Sequence, residues 1–252
     1  MKETQAIVQR VRAMNADYQQ IELASDEALD EMKAGQALLA RPRQMRLTEQ
    51  WEPYLREVWH PTYVSNRRIT TELSARLRLE PGDVIDLIGP IGQPFKFRTS
   101  LRNVLLLAVN TSPIPLMMTV PQLLGNQVSV TLVLLGSAIA YPTTFLPPEV
   151  EIVHGDDPKT PLSWPNQVVS IGWADQVFAV VPRGDEVSAF RELWQRFSER
   201  RSEISKNYLF GVFQGLLPCG VGACEACMIA TREGNKLPCT EGPAFDLHTL
   251  FG

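Results

Sequence analysis

The sequence predicts a multidomain β plus α/β protein: an N-terminal antiparallel β-barrel, a central α/β layer on a parallel sheet, and a small C-terminal cysteine-loop domain. Three observations predict it. Short apolar and β-branched runs, without a long helical stretch, fill most of the first hundred residues. From about residue 101, continuous apolar runs alternate with helical patterns. All four cysteines of the 252-residue chain lie between Cys219 and Cys239. The expected domains are residues 1–100, 101–212 and 213–252.

In the first part, QAIVQRVRAM, YQQIELAS and QALLARPRQ read as strands, and DVIDLIG follows the turn signal Pro81-Gly82-Asp83. Several short strands suit a small antiparallel barrel. Residues 44–77 are ambiguous and are read as irregular, with a short helix near the end.

NVLLLAV, from Asn103, is apolar throughout, the mark of a strand covered on both faces. In PIPLMMTVPQLL, Pro113 or Pro115 suits a first helical turn, and Pro121 kinks a helix or keeps it short. VSVTLVLLG, VEIVHG and QVFAVVP are the next strands, and HGDDPKTPLSWPNQ is a loop. EVSAFRELWQRFSERRSEISKN is the clearest helix, with Val187, Phe190, Leu193, Trp194 and Phe197 on one face. The order strand, helix, three strands, helix gives an α/β layer.

With 44% hydrophobic residues the chain can build a sizeable core. A net charge of -4 and a pI near 5.5 give no support to nucleic-acid binding. The first fifteen residues carry charges where a signal peptide needs an apolar stretch. Each of the most apolar segments is far shorter than the ~20 residues of a membrane helix. The expectation is a cytoplasmic protein without membrane insertion.

The cysteines are spaced C-x4-C-x2-C-x11-C, at Cys219, Cys224, Cys227 and Cys239. Three cysteines close together and a distant fourth make the plant-type [2Fe–2S] spacing. Gly220 and Gly222 allow a tight wrap in which backbone amides point at sulfur. A structural zinc site more often shows two separated pairs, whereas here three cysteines fall within nine residues. Zinc, or thiols without a ligand or joined in a disulfide, remain the alternatives. Clustering also speaks against a disulfide framework.

With these parts in this order, the chain resembles the electron-transfer subunits of dihydroorotate dehydrogenase, within the ferredoxin reductase-like flavoproteins. The resemblance is most specific in CGVGACEAC…C followed by TEGPAFDL, where Glu241, Gly242, Pro243, Ala244 and Phe245 match the family pattern. LIGPIGQPF, Leu87 to Phe95, is similar to the family's Gly-Pro-x-Gly-x-x-Phe junction. The resemblance implies a flavin-binding-like barrel and a nucleotide-binding-like α/β domain. It also implies a cluster that relays electrons toward a partner, an FMN-containing barrel subunit where dihydroorotate and orotate interconvert in pyrimidine biosynthesis. The candidate cluster ligands are Cys219, Cys224, Cys227 and Cys239, and the cofactor-binding candidates are Arg56, Trp59, Gly89 and Gly92.

Three nucleotide-related motifs depart from the family. In the flavin motif (arginine, any residue, Tyr or Phe, Ser or Thr), Arg56 fits, but Val58 and Trp59 replace the aromatic and the hydroxyl. Trp59 either stacks on a ring or packs as a buried aromatic. After the first α/β strand no glycine occurs from residue 101 through 124, so side chains would crowd a nucleotide. Thr111 and Ser112 could bind a polar group or serve as turn residues. Val180-Val181-Pro182 stands where the family has Cys-Gly-Pro. FAD binding is therefore open, and direct use of NAD(P)H is not expected.

The leading expectation is an auxiliary electron-transfer subunit dependent on a catalytic flavoprotein. The alternatives are a self-contained FAD-dependent NAD(P)H oxidoreductase and a non-redox scaffold or regulatory subunit with a structural metal. His60, His154 and His248 fall in no acid–nucleophile pattern, so no catalytic residue is named, and His60 is expected to be a satisfied structural residue.

Overall fold

The computed structural model describes residues 1–43, 56–155 and 162–252. The first seven strands are β1 (Lys2–Ala13), β2 (Tyr18–Ala24), β3 (Ala37–Arg43), β4 (Glu57–Trp59), β5 (Pro61–Ser65), β6 (Arg68–Ser74) and β7 (Val84–Ile91). They pair antiparallel in the order β4-β3-β7-β1-β2-β6-β5. Alternation along β2 sends Ile21 and Leu23 inward, where they meet Ala6, Val8, Leu38, Trp59, Ile69, Ile85 and Leu87. The two edge strands, β4 and β5, are separated in sequence by His60 alone. The sheet therefore curls until its edges meet at that residue, a nearly closed barrel.

The stretch that the sequence leaves irregular is thus corrected. Residues 57–74 form three strands, and Ala75–Leu77 is a turn, with no helix. The period-two signal is weak because β4 and β5 are short and polar residues fall on both faces of β6. The rest of the ambiguous stretch, residues 44–55, lies outside the described residues.

The second sheet contains β8 (Asn103–Val109), β9 (Ser129–Leu135), β10 (Glu151–His154), β11 (Gln176–Val180) and β12 (Leu209–Val212), all parallel. The helices between them are α1 (Ile114–Met117), α2 (Thr119–Gly125), α3 (Gln167–Trp173) and α4 (Glu186–Ser198). Leu105 and Leu107 of β8 face the core beneath α3 and α4, while Val104, Leu106 and Ala108 face the core beneath α1 and α2. Such two-sided burial is why the run is apolar throughout. Phe178 joins the sheet to the barrel exit, with ring centroids 4.9 Å from Phe95 and 5.2 Å from Phe210.

Two expectations in this region change. α4 begins where Asp185 accepts the Ser188 N–H at 3.2 Å, but it ends at Ser198 rather than continuing to Asn207. Beyond Phe197 the sole apolar residue before Tyr208 is Ile204, so no stripe holds further turns to the core. α3 is unanticipated: its paired valines, Val168 and Val169, face outward and mask the helical pattern. In the expected loop before it, residues 156–161 lie outside the described residues.

After β12 the chain makes the cysteine loop, then the hairpin β13 (Ile229–Thr231) and β14 (Gly234–Lys236). β15 (Ala244–Asp246) returns antiparallel to β12, giving the sheet order β10-β9-β8-β11-β12-β15, and α5 (Leu247–Phe251) packs against its end. The cysteine segment is thereby anchored in the α/β sheet. Among the described residues no helix is long and apolar enough to cross a membrane.

Candidate iron–sulfur site and interdomain cavity

The cysteine loop is shaped by positive φ at Gly220 (69°), Gly222 (76°) and Glu225 (54°). Gly220 also answers a close approach: a Cβ there would stand 3.0 Å from Ile91 Cγ2 and 3.1 Å from Leu39 Cδ1. The loop lies that tightly on β3 and β7. Cys227 and Cys239 are buried with Ala37, Leu39, Ile91 and Leu217, whereas Cys224 is exposed and Cys219 half-buried.

The sulfurs converge as pairs. Cys227 Sγ lies 3.3 Å from Cys239 Sγ, and the Cys224 side chain lies close enough to Cys219 to favour its thiolate. Backbone N–H groups of Val221 and Cys224 hold the Cys219 thiol down to about 6. Burial, followed by the neighbouring Cys227 thiol, pushes Cys239 up to about 11, opposed by the Gly222 N–H. Among the described residues no three His, Cys, Asp or Glu side chains converge as ligands of one ion. Two cysteine pairs suit a centre with two irons, each taking two thiolates, better than a single zinc. Amides aimed at sulfur favour the thiolate form that iron requires. The donor set fits a [2Fe–2S] cluster.

The Leu87–Phe95 segment secures this loop. The Gly92 N–H donates to the Cys239 carbonyl at 3.0 Å, and Gln93 donates from its backbone to Gly242 O (2.5 Å) and from its side chain to Thr240 O (2.8 Å). A Cβ on Gly92 would stand 3.0 Å from Gly242 O, and one on Gly89 would strike Leu38. The structure thus places both glycines against the chain's own atoms.

Arg56 pairs with Glu3 at 2.6 Å, and its Nε is buried with no partner among the described residues. Trp59 is 1% exposed, held within the barrel core, with Nε1 3.4 Å from Glu57 Oε2. It also borders a cavity of about 400 Å³ between barrel and sheet. Ser112 follows β8, Arg183 follows β11 and Gln214 follows β12 around this cavity, so it opens at the carboxyl ends of the parallel strands. There the strand order reverses on either side of β8, the place where open α/β sheets bind ligands. Ser112 Oγ also accepts the Ile114 N–H at 3.4 Å, so it serves as a turn residue there.

Sequence reasoning missed the remaining wall residues. Glu72 on β6 accepts from Tyr141 Oη at 2.7 Å, linking the barrel to the second sheet, and burial raises its pKa. Gln214 donates from its backbone to Glu186 Oε1 at 2.5 Å and from its amide to Val181 O at 3.0 Å. His60 departs from its expected satisfied role: its Nε2 is buried with no partner among the described residues. Burial first, then the Arg183 charge, lower its pKa to about 3. These residues come from five separated segments, and no local spacing announces them.

The model of the iron–sulfur cluster binding domain of dihydroorotate dehydrogenase B matches residues 215–251. The electron transfer subunit of dihydroorotate dehydrogenase B (NAD(+)) from Shouchella clausii (strain KSM-K16) is 30% identical over 175 residues, 65% of this chain and 64% of that protein. The corresponding subunit from Clostridium perfringens (strain 13 / Type A) is 23% identical over 170 residues, 66% of this chain and 65% of that protein. The match therefore spans just under two thirds of these relatives' length. The NADH-dependent reduced ferredoxin-NADP oxidoreductase has the same fold, with TM-score 0.73 at 16% identity, covering 97% of this chain and 89% of that one. The ferredoxin reductase of carbazole 1,9a-dioxygenase aligns at TM-score 0.59 and 12% identity, over 84% and 69% of the two chains.

Proposed function

We propose that this chain, which shares the fold of the NADH-dependent reduced ferredoxin-NADP oxidoreductase and matches the iron–sulfur cluster binding domain of dihydroorotate dehydrogenase B over residues 215–251, is an electron-transfer subunit. It serves a catalytic flavoprotein partner, a dihydroorotate-oxidising subunit, in the cytoplasm. A bound [2Fe–2S] cluster supplies one-electron transfer. The observation that carries this reading is the arrangement of four free cysteines as two pairs, one sunk against the barrel and one reaching solvent at Cys224.

Cys227 and Cys239 are the inner ligands, set in an apolar wall that excludes water. Cys219 and Cys224 are the outer ligands, with the Val221 N–H supporting thiolate at Cys219. Leu216, Val221 and Met228, all exposed and all in this loop, form an apolar rim suited to a partner surface. Residues 1–100, 101–212 and 213–252 act as cavity wall, sheet and cluster carrier.

The interdomain cavity is the proposed flavin site. Trp59 borders it, its side chain otherwise buried in the barrel core, and Arg56 precedes β4, already paired with Glu3. Gly92 takes a supporting part, holding the cluster loop rather than flavin, and Gly89 makes room for Leu38 on β3. Direct NAD(P)H use is not part of the proposal, because Asn110, Thr111 and Ser112 follow β8 where a glycine cluster would admit a nucleotide.

An anaerobic absorption spectrum before and after dithionite tests the reading. Iron–sulfur bands that bleach on reduction are expected, with flavin bands beside them. Reconstituted protein without such bands would refute the cluster. Rapid bleaching by NADH alone would favour the self-contained NAD(P)H reductase instead.

A further inference from the structure

We propose that Glu72 accepts the hydroxyl groups of a flavin's ribityl chain in the interdomain cavity, with Tyr141 holding its carboxylate in place. This rests on the flavin reading above.

The first ground is direction. Ile69 and Leu73 of β6 pack into the barrel core, so alternation along the strand sends Glu72 out of the barrel. There Glu72 borders the cavity of about 400 Å³, and only 6% of the residue is exposed. A carboxylate is rarely buried so far without partners.

The second ground is a free oxygen. Glu72 Oε2 accepts from Tyr141 Oη at 2.7 Å, and no other hydrogen bond reaches the carboxylate among the described residues. Oε1 is nonetheless not sealed inside protein: the buried polar atoms without a partner are Ser25 Oγ, Arg56 Nε and His60 Nε2. Oε1 therefore keeps accessible surface, on a residue that borders the cavity. A carboxylate oxygen only accepts, so its ligand must bring O–H or N–H groups.

The third ground is support. Tyr141 is buried, with its ring edge-on to Tyr18 at 5.7 Å between centroids. Its N–H donates to Ala138 O at 3.0 Å, and Asn15 Nδ2 donates to Ala140 O at 3.1 Å. The segment that carries Tyr141 is thus tied to the turn between β1 and β2, and it fixes the carboxylate. The Tyr141 hydroxyl also favours the charged form, against burial, which raises the Glu72 pKa.

The fourth ground is the company Glu72 keeps. Asp17, Tyr18 and Ser74 also border the cavity, and Tyr18 pairs with Ser74 where β2 meets β6. This polar wall suits a chain of hydroxyls, while Val58, Ile114 and Pro115 give the same cavity an apolar part for a flat ring. Arg76 and Arg183, exposed and likewise bordering the cavity, remain for the phosphate of FMN or FAD.

The test uses the full cluster-loaded chain. Glu72→Leu removes the acceptor, and Glu72→Gln keeps a hydrogen-bonding group at similar reach. Because Glu72→Leu leaves the Tyr141 hydroxyl unpartnered, Glu72→Leu with Tyr141→Phe, which removes both partners, is measured beside it. Riboflavin and lumiflavin, which has the ring without the ribityl chain, are titrated by fluorescence quenching, and cluster absorbance is followed in parallel. Both leucine variants are expected to weaken riboflavin about tenfold, the effect of losing one buried hydrogen bond, with lumiflavin affinity and cluster absorbance unchanged. Glu72→Gln should retain most of the riboflavin affinity. Equal losses for riboflavin and lumiflavin overturn the proposal, since the contact would then be to the ring or the cavity would have collapsed. Unchanged riboflavin affinity in the double variant also overturns it, while leaving the flavin reading intact. Absence of flavin binding by cluster-loaded wild type overturns both, and leaves the cluster reading standing.

Discussion

Gly220 lacks a side chain for two reasons that act together. Its φ of 69° lies in the left-handed region, and a Cβ would stand only 3.0 Å from Ile91 and 3.1 Å from Leu39, inside ordinary contact distance. Gly220→Ala is therefore expected to lose about 1–3 kcal/mol and to lower the iron bound per chain. Iron content and thermal unfolding are the measurements; an alanine variant with full iron and unchanged melting would contradict the crowding argument. His60 gives the second residue-scale prediction. Its pKa falls from the usual 6.5 to about 3 because burial and Arg183 oppose its charge. Between those values the unfolded chain binds the proton and the folded chain does not. Stability from neutral His60 is thus complete above about pH 6.5 and is lost as pH falls toward 3, about 3 kcal/mol of it by pH 4. Glu72, Arg76, Asp17 and Arg183 also border the cavity, and Glu72, raised by burial, acts in the opposite sense. The difference between wild type and His60→Leu in denaturant melts at pH 7 and pH 4 isolates the histidine. A difference that stays constant with pH would show that the imidazole is not held neutral. The contrast between these residues also marks what sequence discloses. The cysteine ligands are legible because one loop contains three of them at a chemically required spacing. His60 is silent because Trp59 and Pro61 beside it say nothing of Arg183 or Gln214, which reach it only through the fold.

Elements were legible in proportion to how fully burial imposed one period. β8 and β9 are covered on both faces and match their apolar runs to within a residue. α4 was visible through its three-and-four spacing, but its end was not, because charged residues that favour helices follow Phe197 without any apolar stripe to dock. β4, β5 and β6 carry mixed polar surfaces beside the seam and gave no clear alternation. α3 buries little beyond Gln167 and Ile171. The element whose loss should matter most is β11 through Phe178, fully buried between Phe95 and Phe210, with a further ring contact to Phe97 at 5.5 Å. Phe178→Ala leaves a cavity where barrel exit and sheet meet, and is expected to cost about 3–5 kcal/mol. Phe178→Leu, which refills most of the space, should cost clearly less. Equal destabilisation of the two variants in chemical unfolding would argue that something other than cavity formation governs this site.

At the scale of the whole molecule, the barrel and the α/β sheet are joined by the Phe95 stack, by the Tyr141–Glu72 hydrogen bond and by the cysteine loop lying on β3 and β7. The cavity and the cluster site are therefore two sides of one wall made from barrel strands. The inner cysteines face that wall, while Cys224 and the apolar Leu216, Val221 and Met228 face away from the core. Such a polarity matches a relay that receives electrons on its inner side and delivers them outward, or the reverse. Leu216 is 72% exposed and Met228 47%, so replacing them removes little from this chain's own core. Leu216→Asp combined with Met228→Asp is accordingly expected to leave iron content, cluster absorbance and melting unchanged. The same double variant places two charges in the centre of the proposed interface, where burial of an unpaired charge is strongly unfavourable, and should weaken association with the purified catalytic flavoprotein by at least about tenfold. Sedimentation of the mixed subunits measures the association, and bleaching of this chain's cluster by dihydroorotate, which reaches it only through the partner flavin, measures the coupling. Normal association and normal reduction by the double variant would move the docking face elsewhere, with the hairpin β13–β14 as the next surface to vary.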